Sequence, residues 1–334
     1  LLAAHDRSEV ELFCYAEVPV EDATTQRLRA LADHWRVTVG RSDDALAEMI
    51  RQDGIDVLVD LAGHSAGNRL LAFARRPAPL QVTCNGYIDT TGMAAMDYRL
   101  TDALHDPPGA TDHLQTERLV RLPACNWCYR PDDSPPVSLP PGLSTGVVTF
   151  GCLNKLYKVT PQMLDIWARI LKEVPHSRLL LVVQGGDAAN PSVRESLVGR
   201  GIDSERVEVL SKAASRREYL ERFGRVDVAL DTFPFNGITT TCDALWMGVP
   251  VVSLCGQTHV SRAGLSILTA IGLGDLACAT PDEYVRCATQ LGTHTGRVSA
   301  IRAGLRERME RSPLRDERGY ARAVEAAYRA MWVD

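Results

Sequence analysis

Short apolar runs rich in β-branched residues alternate with helix-period segments along this chain, and they do so twice. The first half gives VELFCYAE (10–17), a helical run at 43–51, IDVLVDLAG (55–63), a helical run near 68–74 and LQVTCNGY (80–87). The second half gives VVTFGCLN (147–154), a helix at 160–173, RLLLVVQ (178–184), a helix near 193–200 and VEVLS (207–211). A helix at 216–223, VDVALDT (226–232), a helix after Thr239 and VPVVSLCG (249–256) follow. Uninterrupted apolar strands separated by amphipathic helices call for parallel sheets covered on both faces. The expectation is an α/β protein with two Rossmann-like domains, whose ligands bind beyond the carboxyl ends of the strands.

The length of 334 residues suits two domains, and 45% hydrophobic content suffices for two cores. Residues 129–142, YRPDDSPPVSLPPG, are proline-dense and read as the joint between them. The expected division is an N-terminal Rossmann-like, acceptor-side domain at 1–135, a Pro-rich linker at 136–145 and a nucleotide-sugar domain at 146–312. A C-terminal helix at 313–334 is expected to pack across both. The chain opens on Leu1 and Leu2 without methionine, which reads as a piece of something longer.

The net charge of −5 is spread thinly and no basic block is present, so nucleic-acid binding is not expected. No apolar run reaches the ~20 residues that cross a bilayer. Nine scattered cysteines, mostly inside apolar segments, fit reduced thiols in a cytoplasmic protein. The single CxxC, Cys125–Cys128, lacks the second pair a zinc site needs.

The chemistry gathers at strand ends. In FNGITTTCDALWMGVP (235–250), Asn236-Gly237 reads as a turn, and Thr239, Thr240 and Thr241 as the cap and first turn of a helix. The amides of such a start carry the positive end of the helix dipole and favour phosphate. Asp243 can accept from a ribose hydroxyl; plain helix capping explains the same residue types. In LNKLYKVTP (153–161), Lys155 and Lys158 can reach a diphosphate, Lys158 the better placed. Thr258, Ser261 and Arg262 mark another strand-to-helix junction. NGYIDTTG (85–92) is either a loop that closes on phosphates or a turn. His64, just past a strand, is the one candidate for acid–base work. No D-x-D occurs, so a bound diphosphate has to be neutralised by lysine, arginine and backbone donors, with no metal or other cofactor.

Five of these stretches together resemble the catalytic region of the O-linked N-acetylglucosamine transferase family. They are DLAGHSAGNRLLAFARRPAPLQV, MDYRLTDALHDPPG, LNKLYKVTP, LDTFPFNGITTTCDALWMGVPVV and THVSRAGLSILTAIGL. The family includes the Spindly-type enzymes, and the chain is most similar to its bacterial members. The resemblance implies a GT-B fold and inverting, metal-independent transfer of N-acetylglucosamine from UDP-GlcNAc to Ser or Thr of an acceptor protein. It places the phosphate-holding lysine on Lys158, the paired phosphate-binding threonines on Thr239 and Thr240, and the ribose-binding acid on Asp243. The phosphate-side loop of the first domain falls on Thr90, Thr91 and Gly92.

This chain also departs from the pattern. A histidine near the nucleotide base becomes Ile238, and a glutamine of the animal members becomes Lys155. A lysine, histidine and arginine of another nucleotide-binding segment become Arg216, Tyr219 and Arg222. The usual WLGYP-type loop is CNGYI, with Cys84, Asn85 and Ile88 at unusual places. The family's active-site histidine and its tetratricopeptide repeats belong upstream of Leu1, so a truncated or shortened member is expected. Rival readings are another donor (GDP-fucose or UDP-glucose), a catalytically silent nucleotide-binding module and, more remotely, a nucleotide-sugar epimerase.

Overall fold

The computed structural model describes every residue except 132 and 183–190. The chain divides into one unit of Leu1–Cys128 with Asp316–Asp334 and a second of Tyr129–Arg315. The first begins β1 (Phe13–Ala16), α1 (Ala23–Arg29), β2 (His34–Val37), α2 (Asp43–Gln52), β3 (Val57–Asp60) and α3 (Leu70–Phe73). It continues β4 (Leu80–Thr83), β5 (Tyr98–Asp102) and β6 (Arg118–Leu122). Every strand pair is parallel, but the sheet is in two pieces: β1 pairs only with β2, and β3-β4-β5-β6 form a separate four-stranded sheet.

The second unit runs α4 (Gly142–Thr145), β7 (Thr149–Cys152), α5 (Pro161–Glu173), β8 (Arg178–Val182), α6 (Pro191–Val198), β9 (Val207–Leu210) and α7 (Arg216–Glu221). It ends with β10 (Val228–Leu230), α8 (Thr239–Trp246), β11 (Val251–Leu254), α9 (Ala263–Ala270), β12 (Ala277–Cys278), α10 (Pro281–Thr293) and α11 (Thr295–Glu310). The strands form one sheet in the order β12-β11-β10-β7-β8-β9. From β7 the chain steps outward through β8 and β9; it then returns to β10 on the other side of β7 and steps the opposite way. This is the doubly wound order, with its switch point between β7 and β10. The last two residues of the expected strand 178–184 lie outside the described residues.

Local sequence explains the elements. Thr160 caps α5 by accepting from the Met163 amide, and Pro161 fills the first helical position, where no N–H is needed. The apolar stripe of α5 buries Met163, Trp167 and Ile170, each side chain contributing ~1.5–3 kcal/mol.

The last helix, α12 (Glu317–Val333), joins the first unit. Its Tyr320, Val324, Ala327 and Met331 pack on Leu80, Val82, Tyr98 and Leu100 of the four-stranded sheet. A second cluster, with Leu46 and Ile50 of α2 and Phe73 of α3, covers Leu58 of β3. An apolar stripe at helical spacing belongs against a sheet face, and α12 lays its stripe on the sheet of the first unit.

The expected linker 136–145 is corrected. The Gly142 amide donates to Asp227 at 2.9 Å, and the buried Arg302 guanidinium donates to the Ser138 carbonyl at 2.6 Å and hydroxyl at 3.0 Å. Proline leaves this segment few amides of its own, and second-unit side chains grip it instead. Among the described residues, no helix is long and apolar enough to cross a membrane. All nine cysteines are free, five of them buried.

Candidate functional site

At the switch point, the loops leaving β7 and β10 are held by one buried carboxylate. Asp231 follows directly after β10 and is 2% exposed. Its Oδ1 accepts from the amides of Thr232 (2.8 Å) and Gly237 (2.7 Å) and from Asn154 Nδ2 (3.1 Å). Its Oδ2 accepts from Ser253 Oγ at 2.7 Å. Burial raises the Asp231 pKa, against the pull of these donors and of nearby Lys158. Gly237 is needed here: a Cβ would stand 2.8 Å from Asn154 Oδ1 and 2.9 Å from Thr241 Oγ1.

Asn236 is fully buried, donating to the Thr232 and Leu254 carbonyls while its Oδ1 accepts from the Gly264 amide. The expected Asn-Gly turn is therefore a buried brace, and neither residue has positive φ.

This loop delivers the chain into α8. Ile238 occupies the cap position, and no side chain caps the helix. Thr239, Thr240 and Thr241 form the first turn rather than the cap. Thr241 is buried and bonds back to the Gly237 carbonyl at 3.0 Å, whereas Thr239 is exposed and Thr240 half-buried. The first amides of a helix lack intrahelical partners, so this end presents donors and a positive dipole.

Lys158, from the loop after β7, points to the same place. Its Nζ donates to the Asn236 carbonyl at 3.0 Å and lies 3.6 Å from the Phe235 ring centroid. Burial lowers its pKa to about 8, outweighing the attraction of Asp231. A half-desolvated ammonium two residues from an uncapped helix start is suited to an incoming anion. Lys155 is exposed, its Nζ 5.8 Å from the Tyr157 ring.

Asp243 is engaged within the protein. It is 1% exposed; Arg216 grips both oxygens, at 2.8 and 2.5 Å, and the Tyr129 hydroxyl donates to it at 2.7 Å. A carboxylate so held is the counter-ion of Arg216, and three donors share its two oxygens. Arg216 also lies over Tyr219 (5.2 Å), whose hydroxyl bonds with Thr240. Arg222 turns away, to Glu218 at 2.7 Å and the Ser211 carbonyl. The second unit thus gathers Lys155, Lys158, Ile238, Thr239, Thr240, Asp243, Arg216 and Tyr219, and leaves Arg222 aside.

The first unit gathers a different set. Thr90 donates to Glu117 at 2.7 Å, and Thr91 donates to it through both its amide (2.6 Å) and its hydroxyl. Burial raises the Glu117 carboxyl, but these donors outweigh it and leave the pKa lowered. Gly92, at φ +69, closes the loop in a conformation side chains disfavour. His64 Nε2 lies 2.9 Å from the Thr91 carbonyl. A carbonyl only accepts, so Nε2 carries the proton and Nδ1 is left as the basic nitrogen. The buried Arg99 donates to the Tyr87 and Asp89 carbonyls and pins the loop from below.

Sequence reasoning missed Asp231, Asn154, Tyr129, Arg99 and Glu117. For Asp231 and Arg99 there was a signal: a charged residue ending or interrupting a strand otherwise buried on both faces requires partners. Among the described residues, no three His, Cys, Asp or Glu side chains cluster to hold a metal ion.

The second unit is doubly wound with backbone and side-chain donors at its switch point, and the two-unit α/β architecture is that of GT-B glycosyltransferases. A similar fold at 12% identity occurs in the lipopolysaccharide outer core galactosyltransferase WaaB, with a TM-score of 0.59 over 96% of this chain and 89% of that one. The model of glycosyl transferase family 41 matches residues 2–128 and 140–324, and the chain belongs to that family. It is 42% identical to the probable UDP-N-acetylglucosamine–peptide N-acetylglucosaminyltransferase SPINDLY of Arabidopsis thaliana, over 99% of this chain and 37% of the relative. A mutant O-GlcNAc transferase of Thermobaculum terrenum is 43% identical with a TM-score of 0.91, over 99% of this chain and 63% of that one. The chain therefore spans little more than a third of the plant relative it matches.

Proposed function

We propose that this chain is the catalytic part of a protein O-glycosyltransferase that moves N-acetylglucosamine from UDP-GlcNAc to serine or threonine, with inversion and without a metal. The observation that carries this reading is the uncapped start of α8, with Thr239 exposed and Thr240 half-buried beside the half-buried Lys158. The relatives' names supply the sugar and the peptide acceptor. The donor's diphosphate lies against the α8 amides, the two threonine hydroxyls and Lys158.

The acceptor oxygen attacks C1 from the face opposite the diphosphate. The new C1–O bond forms as the bond to the β-phosphate oxygen breaks, and UDP carries away the electron pair. The acceptor proton passes to a general base, to which no residue is assigned, or to solvent. Charge growing on the leaving group is met by the ammonium and the amides, and one such preorganised contact is worth ~3 kcal/mol of barrier. A cytoplasmic setting fits the free cysteines.

The test incubates the full natural protein with candidate acceptor proteins and UDP-GlcNAc, UDP-glucose or GDP-fucose in turn, and reads each acceptor's mass. Addition of N-acetylhexosamine from UDP-GlcNAc, in chelator, is expected. Transfer only from GDP-fucose or UDP-glucose overturns the donor, and a requirement for a divalent ion overturns the metal-free mechanism. Ile238 beside the helix start is the residue through which a different base would be selected.

A further inference from the structure

Three donors meet on the two buried oxygens of Asp243, and one of them comes from Tyr129, the first residue of the second unit. The Tyr129 hydroxyl donates to Oδ1 at 2.7 Å, alongside Arg216 Nη2, while Arg216 Nη1 donates to Oδ2 at 2.8 Å. Tyr129 is 8% exposed and its backbone is held on both sides. Its amide donates to the Leu314 carbonyl at 2.8 Å, and its own carbonyl accepts from Arg315 Nη1 at 2.9 Å. Burial and the Asp243 charge raise the Tyr129 pKa, so the phenol keeps its proton and stays a donor.

The Arg216 side chain, by contrast, is 38% exposed. It is long, has several rotatable bonds and springs from the first residue of α7, a different element from the carboxylate it meets. Where its guanidinium lies is therefore set by where the Asp243 carboxylate is held. A bidentate pair shares one plane, and a carboxylate turns easily about its own last bond unless a further donor fixes it. The phenol supplies that donor from a rigid base.

Asp243 stands four residues after Thr239 and three after Thr240, spacings that put side chains on one face of a helix. With the diphosphate at the start of α8, the Arg216–Asp243 pair lies one turn away, about 5 Å along the helix, within reach of the ribose and base joined to the phosphates.

We propose that Tyr129 is a positioning residue for the nucleoside of the donor: by fixing the Asp243 carboxylate, it holds the Arg216 guanidinium in the plane that meets the nucleoside. This inference rests on the function proposed above. It divides one site in two. The α8 amides and Lys158 serve the diphosphate, and the Tyr129–Asp243–Arg216 chain serves the nucleoside. A purely structural phenol would instead only tie the proline-rich segment to α8.

The test is calorimetric titration of the full natural protein, in chelator, with UDP and with inorganic pyrophosphate; GDP replaces UDP where it binds the wild type more tightly. Tyr129→Phe keeps the ring and removes only the hydroxyl. It should weaken UDP about five- to tenfold and pyrophosphate less than about twofold, whereas Lys158→Ala should weaken both. In an Arg216→Ala background, adding Tyr129→Phe should cost less than about twofold in UDP affinity, because the group it positions is gone. In sugar transfer, Tyr129→Phe should raise the donor KM by the same factor of about five to ten and leave kcat within about twofold. Equal loss of UDP and pyrophosphate makes the phenol a structural tie and overturns the proposal. So does a full additional loss in the Arg216→Ala background. A wild type that binds neither UDP nor GDP overturns the proposed function, and this inference with it. Nucleotide binding by the wild type that Tyr129→Phe leaves undiminished overturns this inference alone.

Discussion

Both units are all-parallel α/β layers, but the second has one continuous six-stranded sheet and the first is split into two and four strands. In the second, the four inner strands have neighbours on both sides, with β12 and β9 at the edges, and the loops at its switch point are fixed by Asp231, Asn154 and Asn236. In the first, Arg99 and Glu117 fix the loop from Tyr87 to Gly92 just as firmly, while β1 and β3 face a cavity. A well-braced loop therefore does not require a closed sheet. Side-chain hydrogen bonds organise these loops locally, whereas sheet closure depends on strand count.

Substitutions can break or sharpen this comparison. The largest effect is expected at Lys158: Lys158→Ala should lower turnover 10²–10³-fold with no loss of melting temperature. Wild-type turnover would remove the second unit's claim to the chemistry. Next, Asp231→Ala strands four donors around a buried site and should cost about 3 kcal/mol in denaturant unfolding of the second unit. A loss below ~0.5 kcal/mol would mean that the brace is ornamental. Glu117→Ala, the first unit's counterpart, removes a partner shared by Thr90 and Thr91. It should cost about 1–2 kcal/mol and raise exchange of the Thr91 amide. If UDP affinity fell as far as it does in Lys158→Ala, the two loops would have to be treated as one binding surface.

The Lys158 pKa gives a pH test confined to the second unit. Its folded value of about 8 is below the unfolded 10.5, so holding it charged opposes folding below pH 8, and the penalty fades as pH rises from about 8 towards 10.5. Diphosphate binding needs the charged form. UDP affinity read by calorimetry should fall about tenfold between pH 7 and pH 9, and lose that dependence in Lys158→Ala. A flat profile in the wild type would contradict a half-buried ammonium on the ligand. The smallest effect is expected at Arg222, whose partners are Glu218 and the Ser211 carbonyl. Arg222→Ala should change UDP affinity less than twofold and stability by ~0.5 kcal/mol.

Much of this was legible in the sequence where one physical signal dominated. The apolar runs at 147–154, 207–211 and 249–256 contain β7, β9 and β11 because a strand covered on both faces has to be apolar throughout. The junctions at Lys158 and Thr239–Thr241 were singled out because strand ends of this architecture collect donors, and the structure brings Lys158 to the loop that enters α8. β5 was not found: Tyr98–Asp102 is wholly buried yet contains Arg99, Thr101 and Asp102, whose burial only tertiary partners make tolerable. β2, half-buried and with His34 and Arg36 in four residues, has no apolar run to mark it. Asp243 was recognised as important, but a carboxylate's partner is a tertiary fact, and Arg216 lies 27 residues away in sequence. The division of the chain was misread because a proline-rich segment resembles a tether until the side chains that grip it are known.

The most direct measurement is a crystal structure of this chain grown with UDP in the presence of a chelator. The account predicts the diphosphate within hydrogen-bonding distance of the Thr239 and Thr240 amides and of Lys158 Nζ. A diphosphate bound elsewhere on the second unit, or density that appears only when magnesium is added, would contradict it.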